Sequence, residues 1–145
     1  MLENRIEQTI IVADNDTMVR GLVRSILEQP HRAMLLASDG EEAIVHAAQV
    51  QAALVLLDLR MPRVDGLTAC RRIREMPNYR EIPIAILTMF DGERSRREAR
   101  RAGATAFFSK PFTTEGLRRG LEPLIAAGQV AAARAVPPVL PDRLF

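Results

Sequence analysis

The stretch ALVLLDLRMPRVDG, residues 53–66, joins an apolar run to a polar turn through a single acid. Residues 53–57 show no alternation of polar and apolar side chains, which is typical of a strand buried on both faces of a sheet. Asp58 follows at once, and Pro62 and Gly66 supply the fixed and the permissive backbone that a tight loop needs. The stretch therefore predicts a central parallel strand with a carboxylate at its carboxyl end.

Four further apolar runs alternate with segments in which apolar residues recur at helical spacing. The runs are TIIVA (9–13), AMLLA (33–37), PIAILT (83–88) and ATAFF (104–108). Five strands that alternate with five helices predict an α/β fold, a doubly wound five-stranded parallel sheet with helices on both faces. The residues expected to face the core are, in the first helix, Met18, Val19, Leu22, Val23, Ile26 and Leu27, and, in the second, Ala43, Ile44, Ala47, Ala48 and Val50.

The last helical segment is the least regular one. Its interior Pro123 removes a backbone hydrogen bond at a cost of ~3 kcal/mol, which predicts a kink or a stop near Glu122. We therefore predict a domain at 1–127. The remaining residues, 128–145, form an Ala- and Pro-rich tail, expected to begin as a helical extension and to end extended or disordered.

Composition narrows the class of protein. The 145 residues carry a net charge of only +2, and Lys110 is the single lysine among 20 basic residues. The arginines cluster in helical segments without interleaved aromatics, so we expect solvated helix faces and no direct nucleic-acid binding. A lone Cys70 forms no intramolecular disulfide, and there is neither a run of ~18 apolar residues nor a signal-peptide pattern. These features favour a cytoplasmic protein that does not bind a membrane.

Polar side chains stand where the predicted strands end. Asp14 follows the first strand, Asp58 the third, Thr88 closes the fourth, and Lys110 follows the fifth. Because ligands bind beyond the carboxyl ends of parallel strands, these four residues are expected at one edge of the sheet. Two carboxylates, a hydroxyl and an ammonium group suit a phosphoryl group together with Mg²⁺.

Four motifs that carry these residues resemble the receiver domain of two-component response regulators. They are IIVADND (10–16), LVLLDLRMPRVDG (54–66), PIAILT (83–88) and GATAFFSKPF (103–112), in the family's order and spacing. The resemblance covers about residues 8–127 and implies a flavodoxin-like sheet with strand order 2-1-3-4-5.

The resemblance also implies roles for individual residues. Asp58 would be the phosphoacceptor, taking a phosphoryl group from a sensor histidine kinase or a histidine phosphotransfer protein, while Thr88 and Lys110 would hold the transferred oxygens. The chain would not be an enzyme, apart from assisting its own phosphorylation and dephosphorylation. The implied Mg²⁺ ligands are Asp14, Asn15, Asp58 and the backbone carbonyl of Arg60.

The same resemblance implies a switch. Phosphorylation would draw Thr88 inward and let Phe107 repack, which changes the surface formed by the fourth helix, fifth strand and fifth helix. That surface would bind a downstream protein target or a second copy of the chain in a phosphorylation-linked homodimer. Lys110–Pro111 is a candidate cis peptide. Since 128–145 is too short for a DNA-binding domain, we expect either a stand-alone receiver or a fragment of a larger regulator.

Two residues depart from the family pattern. Asn15 stands where a second metal-binding acid is usual, and its uncharged amide predicts weaker cation binding. Met89 stands where the family has a small residue, and a flexible thioether there can crowd Asp58. Arg60, Met89 and Phe90 occupy positions that tune phosphorylation and dephosphorylation rates.

Two alternatives remain open from the sequence. The first is a haloacid-dehalogenase-like phosphatase in which Asp14 is the nucleophile and Asp16 the general acid. It requires Thr or Val at the position of Met18 and leaves residues 54–66 unexplained. The second is a receiver-like adaptor that acts without phosphorylation. In the receiver interpretation, Asp16 instead caps the first helix.

Overall fold

The computed structural model describes residues 7–135, and in this part of the chain strands and helices alternate strictly. The strands are β1 (Gln8–Ala13), β2 (Arg32–Ala37), β3 (Leu54–Leu57), β4 (Ile84–Thr88) and β5 (Ala106–Ser109). The helices are α1 (Thr17–Leu27), α2 (Gly40–Gln49), α3 (Gly66–Arg74), α4 (Glu93–Arg101) and α5 (Thr114–Arg134), with a short 3-10 helix (Pro77–Tyr79) before β4. The predicted set of five strands and five helices is confirmed.

All five strands pair in parallel, in the order β2-β1-β3-β4-β5. The order that the resemblance implies is therefore confirmed. In the middle of the sheet, Ile10 of β1 pairs with Met34 of β2 on one side and with Leu54 of β3 on the other. The order reverses at β1, so the carboxyl ends of β1 and β3 flank the crevice in which such sheets bind ligands.

Successive strand residues point to opposite faces, which divides the core into two layers. One layer joins alternate strand residues to α1 and α5; its members include Ile10, Val12, Leu54, Leu56, Val23, Ile26, Leu27, Leu117, Leu121 and Ile125. The other joins the intervening residues to α2, α3 and α4; its members include Ile11, Val55, Leu57, Ile84, Ile86, Ala43, Ala47, Ala69, Cys70, Ile73 and Ala99. Because both faces are covered, the strands show no polar alternation.

The predicted core faces of α1 and α2 are too broad. Met18 is 82% exposed and Leu22 is 48% exposed, and Ala48 also faces solvent. On a helical projection Met18 and Leu22 lie at one margin of the apolar arc of α1, whereas Val23 and Leu27 lie at the part that contacts the sheet. Helical spacing predicted the arc, but only contact with the sheet decides which half of it is buried.

No stop occurs in α5 near Glu122. The helix passes through Pro123 and ends at Arg134. Leu121 and Ile125, on either side of the proline, are completely buried against the sheet. Their burial, worth about 1.5–3 kcal/mol each, offsets the hydrogen bond that the proline cannot donate.

The same helix continues without a break past residue 127, the predicted end of the domain. A Cβ atom on Gly128 would lie 1.6 Å from the carbonyl oxygen of Ala53, so the helix backbone lies directly against the chain that enters β3. The predicted tail therefore begins as helix, and its final part, 136–145, lies outside the described residues. Among the described helices, none has the length and apolar character to cross a bilayer.

Candidate functional site

Three of the charged residues predicted at the sheet edge are in direct contact. The Nζ of Lys110 donates to Oδ2 of Asp14 at 2.7 Å and lies 3.3 Å from Oδ2 of Asp58. Asp14 and Asp58 are 2% and 7% exposed. The two aspartates follow β1 and β3, and Lys110 follows β5. The crevice where the strand order reverses therefore brings Asp14 and Lys110 together, although they lie 96 residues apart in the sequence.

Burial sets the electrostatics of this cluster. Removal from water raises the pKa of Asp14, although hydrogen bonds from Lys110 and from the Asp16 amide oppose the rise, and the nearby charge of Asp58 adds to it. Burial alone would lower the pKa of Lys110, but its hydrogen bond to Asp14 and the charges of both aspartates outweigh burial, and its pKa is raised. The ammonium group therefore stays protonated and leaves one net negative charge when both aspartates are ionised.

Asp58 has one oxygen without a partner. Its Oδ1 is buried and accepts no hydrogen bond from the residues that the structure describes. Buried carboxylate oxygens are almost always paired, because desolvation without a partner costs several kcal/mol. An unpaired carboxylate oxygen in a crevice is suited to bind a cation or to attack an electrophile that enters from solvent.

The two aspartates of the DND motif make different contacts. Oδ1 of Asp14 accepts from the Asp16 amide at 2.9 Å, and the Asp14 carbonyl accepts from Nη1 of Arg20 at 2.5 Å, so Asp14 is held toward the crevice. Asp16 is exposed and accepts from the Met18 amide at 2.9 Å as the N-cap of α1. The predicted cap is confirmed. This geometry uses Asp16 for the helix and gives no support to Asp16 as the general acid of a phosphatase.

Asn15 lines a cleft of about 620 Å³ beside the aspartates. Arg60 also lines it, and the guanidinium carbon of Arg60 stacks 4.0 Å from the ring centroid of Phe90. The other lining residues are Leu59, Met61, Pro62, Asp65, Leu67, Ser95 and Glu98. Two of the positions predicted to tune the rates, Arg60 and Phe90, thus contact each other at the mouth of the site.

Thr88 is completely buried, and its hydroxyl oxygen accepts from the Phe90 amide at 3.3 Å. The structure links Thr88 to Lys110 through the backbone, since the Lys110 amide donates to the Thr88 carbonyl at 2.9 Å. The Lys110–Pro111 peptide is cis, as predicted. Met89, the residue predicted to crowd Asp58, is 65% exposed, whereas Asp58 is buried. Thr88 thus lies at the carboxyl end of β4, at the same edge of the sheet as the site. In the described residues its hydroxyl makes no hydrogen bond to Asp58 or Lys110.

Phe107 lies half-buried on β5 under an arginine from α4. The guanidinium carbon of Arg96 stands 4.6 Å from the Phe107 ring centroid. Arg96 also donates to the Asp91 carbonyl at 3.2 Å and to the Ser109 hydroxyl at 3.4 Å. The predicted switch aromatic is therefore covered by a side chain of the predicted switching surface.

Sequence reasoning missed Arg63 and Asp39. Arg63 pairs with the buried carboxylate of Asp39, which joins the loop after Asp58 to the start of α2. The available signal was an Asp-Gly pair before two helices, at residues 39–40 and 65–66, although a third pair at 91–92 precedes α4 without a side-chain cap. Nothing in the sequence marks Arg63 among the other arginines.

The donor set fits a magnesium ion that keeps part of its water shell. In residues 7–135, no three His, Cys, Asp or Glu side chains converge on one point. The crevice instead offers Asp14 and Asp58, and Asn15 and Arg60 line the cleft beside them. Mg²⁺ is held by one or two carboxylates and retains several waters, and the unpaired Oδ1 of Asp58 supplies a free ligand atom.

Comparison with known proteins agrees with this fold. Residues 10–122 match the sequence model of the response regulator receiver domain. The transcriptional regulatory protein ResD of Bacillus subtilis is 37% identical over 107 residues, which are 74% of this chain and 43% of ResD. The chain thus spans less than half the length of this relative.

Two solved structures are similar over most of the chain. The chemotaxis protein CheY4 of Vibrio cholerae has a TM-score of 0.76 at 26% identity, covering 81% of this chain and 98% of its own. The receiver domain of the sensor histidine kinase PA1611 of Pseudomonas aeruginosa PAO1 has a TM-score of 0.71 at 29% identity, covering 82% and 98%. In that second structure a magnesium ion is coordinated in the active-site cleft.

Proposed function

The chain belongs to the response regulator receiver domain family, and on this basis we propose that Asp58 accepts a phosphoryl group from a phosphohistidine with the aid of Mg²⁺. The observation that carries the proposal is the unpaired, buried Oδ1 of Asp58 beside the Lys110 ammonium. The donor would be a sensor histidine kinase or a histidine phosphotransfer protein in the cytoplasm.

Four groups would hold the cation, namely Asp14, Asp58, the amide of Asn15 and the backbone carbonyl of Arg60. When bound, Mg²⁺ neutralises charge on the phosphoryl oxygens and aligns them with the acceptor. The raised pKa of Asp14 supports this assignment. Burial makes the ionised carboxylate unfavourable, and a bound cation would relieve this cost, which an exposed carboxylate does not carry.

The transfer itself needs little from the protein beyond position and charge. One oxygen of Asp58 forms a bond to phosphorus as the P–N bond breaks, and the electron pair of that bond returns to the imidazole. Lys110 is already within 3.3 Å of Asp58 and can donate to a phosphoryl oxygen after a small movement of Nζ. Thr88 would donate its hydroxyl to another oxygen. Its hydroxyl oxygen accepts from the Phe90 amide, and because a hydroxyl can donate while it accepts, its O–H stays available for this bond.

Incubation with acetyl phosphate and Mg²⁺, followed by intact-mass measurement, tests the proposal. We expect a single phosphoryl adduct that is stable in acid, labile in base, prevented by EDTA and lost in Asp58→Asn. Asp16→Asn is the matched control, since Asn is also a good N-cap and leaves the crevice unchanged. Absence of the adduct at excess Mg²⁺, or its persistence in Asp58→Asn, would refute the assignment.

Asn15→Asp is expected to tighten Mg²⁺ binding by about tenfold, because it adds a formal charge at the mouth of a site whose cation affinity depends on ligand charge. Isothermal titration calorimetry measures the effect directly. Asn15→Ala is the control, and it should bind Mg²⁺ no more tightly than the wild type. An unchanged dissociation constant in Asn15→Asp would show that this side chain does not face the cation.

The output surface would be formed by α4, β5 and α5. Phe107 is half-buried beneath Arg96. Movement of Thr88 and repacking of the Phe107 ring would therefore shift the exposed guanidinium group of Arg96 on α4. A downstream protein, or a second copy of the chain, would read this change. Asn15 also keeps the phosphorylation-independent adaptor as a second candidate, and the acetyl phosphate experiment decides between the two.

A further inference from the structure

The loop between β3 and α3 is attached to the start of α2 through a buried carboxylate. Asp39 is only 2% exposed, and its Oδ2 accepts from Nε of Arg63 at 2.9 Å and also from Nη2 of the same side chain. Its Oδ1 accepts from the Glu42 amide at 2.8 Å, as the N-cap of α2. The hydrogen bond from the Glu42 amide is the larger cause of a lowered Asp39 pKa, and the hydrogen bond from Arg63 is the next. The Asp39 carboxylate is therefore ionised at neutral pH.

Two close backbone approaches hold the same loop. The Gly40 amide donates to the Val64 carbonyl at 2.9 Å, and a Cβ on Gly40 would lie 2.1 Å from that oxygen. The Gly66 amide donates to the Leu59 carbonyl at 2.8 Å, and a Cβ on Gly66 would lie 2.1 Å from the Asp58 carbonyl oxygen. Both Asp-Gly pairs thus combine a helix cap with a contact to the loop that follows the phosphoacceptor.

Arg63 occupies an unusual backbone conformation. Its φ of 65° is the only positive value at a non-glycine residue in the described chain. A glycine adopts this conformation without steric cost, whereas an arginine does not. The backbone therefore gives no reason for an arginine here, but the bond of its side chain to Asp39 does.

We propose that Arg63 is a positioning residue for the phosphorylation site, whose ion pair with Asp39 keeps the β3–α3 loop in the conformation that presents the Arg60 carbonyl to the cation. The inference rests on the proposed function. Arg60 lies between Leu59 and Val64, the two residues whose carbonyls accept from the first glycines of α3 and α2. In residues 7–135 no donor bonds to the Arg60 carbonyl itself, so this oxygen is held in place yet free for a ligand.

Arg63→Gly separates positioning from folding, since it removes the ion pair but also relieves the positive φ. We expect its thermal midpoint to stay close to that of the wild type. Its Mg²⁺ dissociation constant should rise about tenfold, the lower end of what is lost when a group that orients a metal ligand is removed. Phosphorylation by acetyl phosphate should slow at limiting Mg²⁺ and recover at excess Mg²⁺. Arg63→Lys should restore much of the affinity, and Arg24→Gln, which removes an exposed arginine paired with Glu28, should have no effect.

Amide hydrogen exchange of Gly40, measured without Mg²⁺, reads the loop independently of the cation. In Arg63→Gly this amide should exchange about fivefold faster, as expected for the loss of one ion pair, while the slowest core amides keep their rates. Asp39→Asn preserves the cap and should give the same change, with no further change in the double variant.

Three results would overturn the inference: unchanged Gly40 exchange, faster exchange with unaltered Mg²⁺ affinity, or a loss of affinity fully explained by a lower thermal midpoint. A wild-type protein that takes no phosphoryl group and binds no Mg²⁺ would instead refute the proposed function. Gly40 exchange would even then decide whether Arg63 holds the loop.

Discussion

Replacing Glu122 by Leu is expected to lower the free energy of unfolding by about 3 kcal/mol, because a buried guanidinium would lose its carboxylate. Arg32 on β2 and Glu122 on α5 form two parallel hydrogen bonds of 3.0 Å. The Arg32 side chain is 4% exposed and that of Glu122 is 30% exposed. Denaturation by urea, with helix content as the signal, measures the change.

The double variant tests the physical reason. In Arg32→Met with Glu122→Leu no charge remains buried, and apolar replacement of such pairs is often neutral. Arg32 also donates to the Leu27 carbonyl at 2.7 Å and to Gln8 Oε1 at 2.9 Å, so recovery should be large but incomplete. Glu115→Leu, which breaks exposed pairs on the same helix, should cost less than about 1 kcal/mol. A double variant no more stable than Glu122→Leu alone would contradict this account.

The Arg32–Glu122 pair shows where prediction from sequence ends. Its partners are 90 residues apart, and the chain contains many arginines that no local pattern distinguishes. The pairing depends on β2 and α5 meeting across one face of the sheet, which only the assembled fold determines. The same reason hid the pairing of Arg63 with Asp39.

The candidate site was more accessible to sequence reasoning. Parallel strands end at a common edge, so apolar runs that stop at Asp14, Asp58 and Lys110 predict neighbours without any knowledge of side-chain packing. Their functional roles came from the family resemblance and stay proposals. Asp16 shows the limit of such reasoning. The sequence DND is equally consistent with a pair of acids in one site, and only the hydrogen bond from the Met18 amide to Asp16 assigns this residue to the helix cap.

Packing also overruled two local patterns. Pro123 predicted a kink or a stop near Glu122; the stop does not occur, because Leu121 and Ile125 are buried on the sheet and the helix continues. Met18 and Leu22 extended the apolar arc of α1, yet the sheet covers only the other side of that arc. In both cases local propensity was outweighed by which surface the neighbouring element reached.

Asp14→Asn is expected to abolish Mg²⁺ binding in the micromolar to millimolar range and, without Mg²⁺, to raise the free energy of unfolding by roughly 1 kcal/mol, the usual size of a single stabilising substitution. The first effect is expected because the substitution removes one of the two proposed carboxylate ligands. The second follows from burial, which raises the pKa of Asp14 and makes its ionised form unfavourable in the folded protein, even though Lys110 donates to it.

The pH dependence identifies the cause. Below the usual aspartate value of 3.8, Asp14 is protonated in both the folded and the unfolded state and carries no penalty. As the pH rises through the raised folded-state pKa, the wild type loses stability relative to Asp14→Asn. The advantage of the variant should therefore be absent in acid and complete near neutral pH, as thermal unfolding in EDTA would show.

Magnesium should reverse the order of stability. A ligand that binds only the folded state stabilises it by mass action, so excess Mg²⁺ should raise the thermal midpoint of the wild type and leave Asp14→Asn unchanged. Asp16→Asn keeps its cap to Met18 and should respond like the wild type. If Asp14→Asn were less stable than the wild type in EDTA at neutral pH, the interaction with Lys110 would outweigh burial. The crevice would then be an ion cluster that stabilises the fold without a metal. Its buried aspartates would not destabilise the cation-free protein, as the explanation above requires.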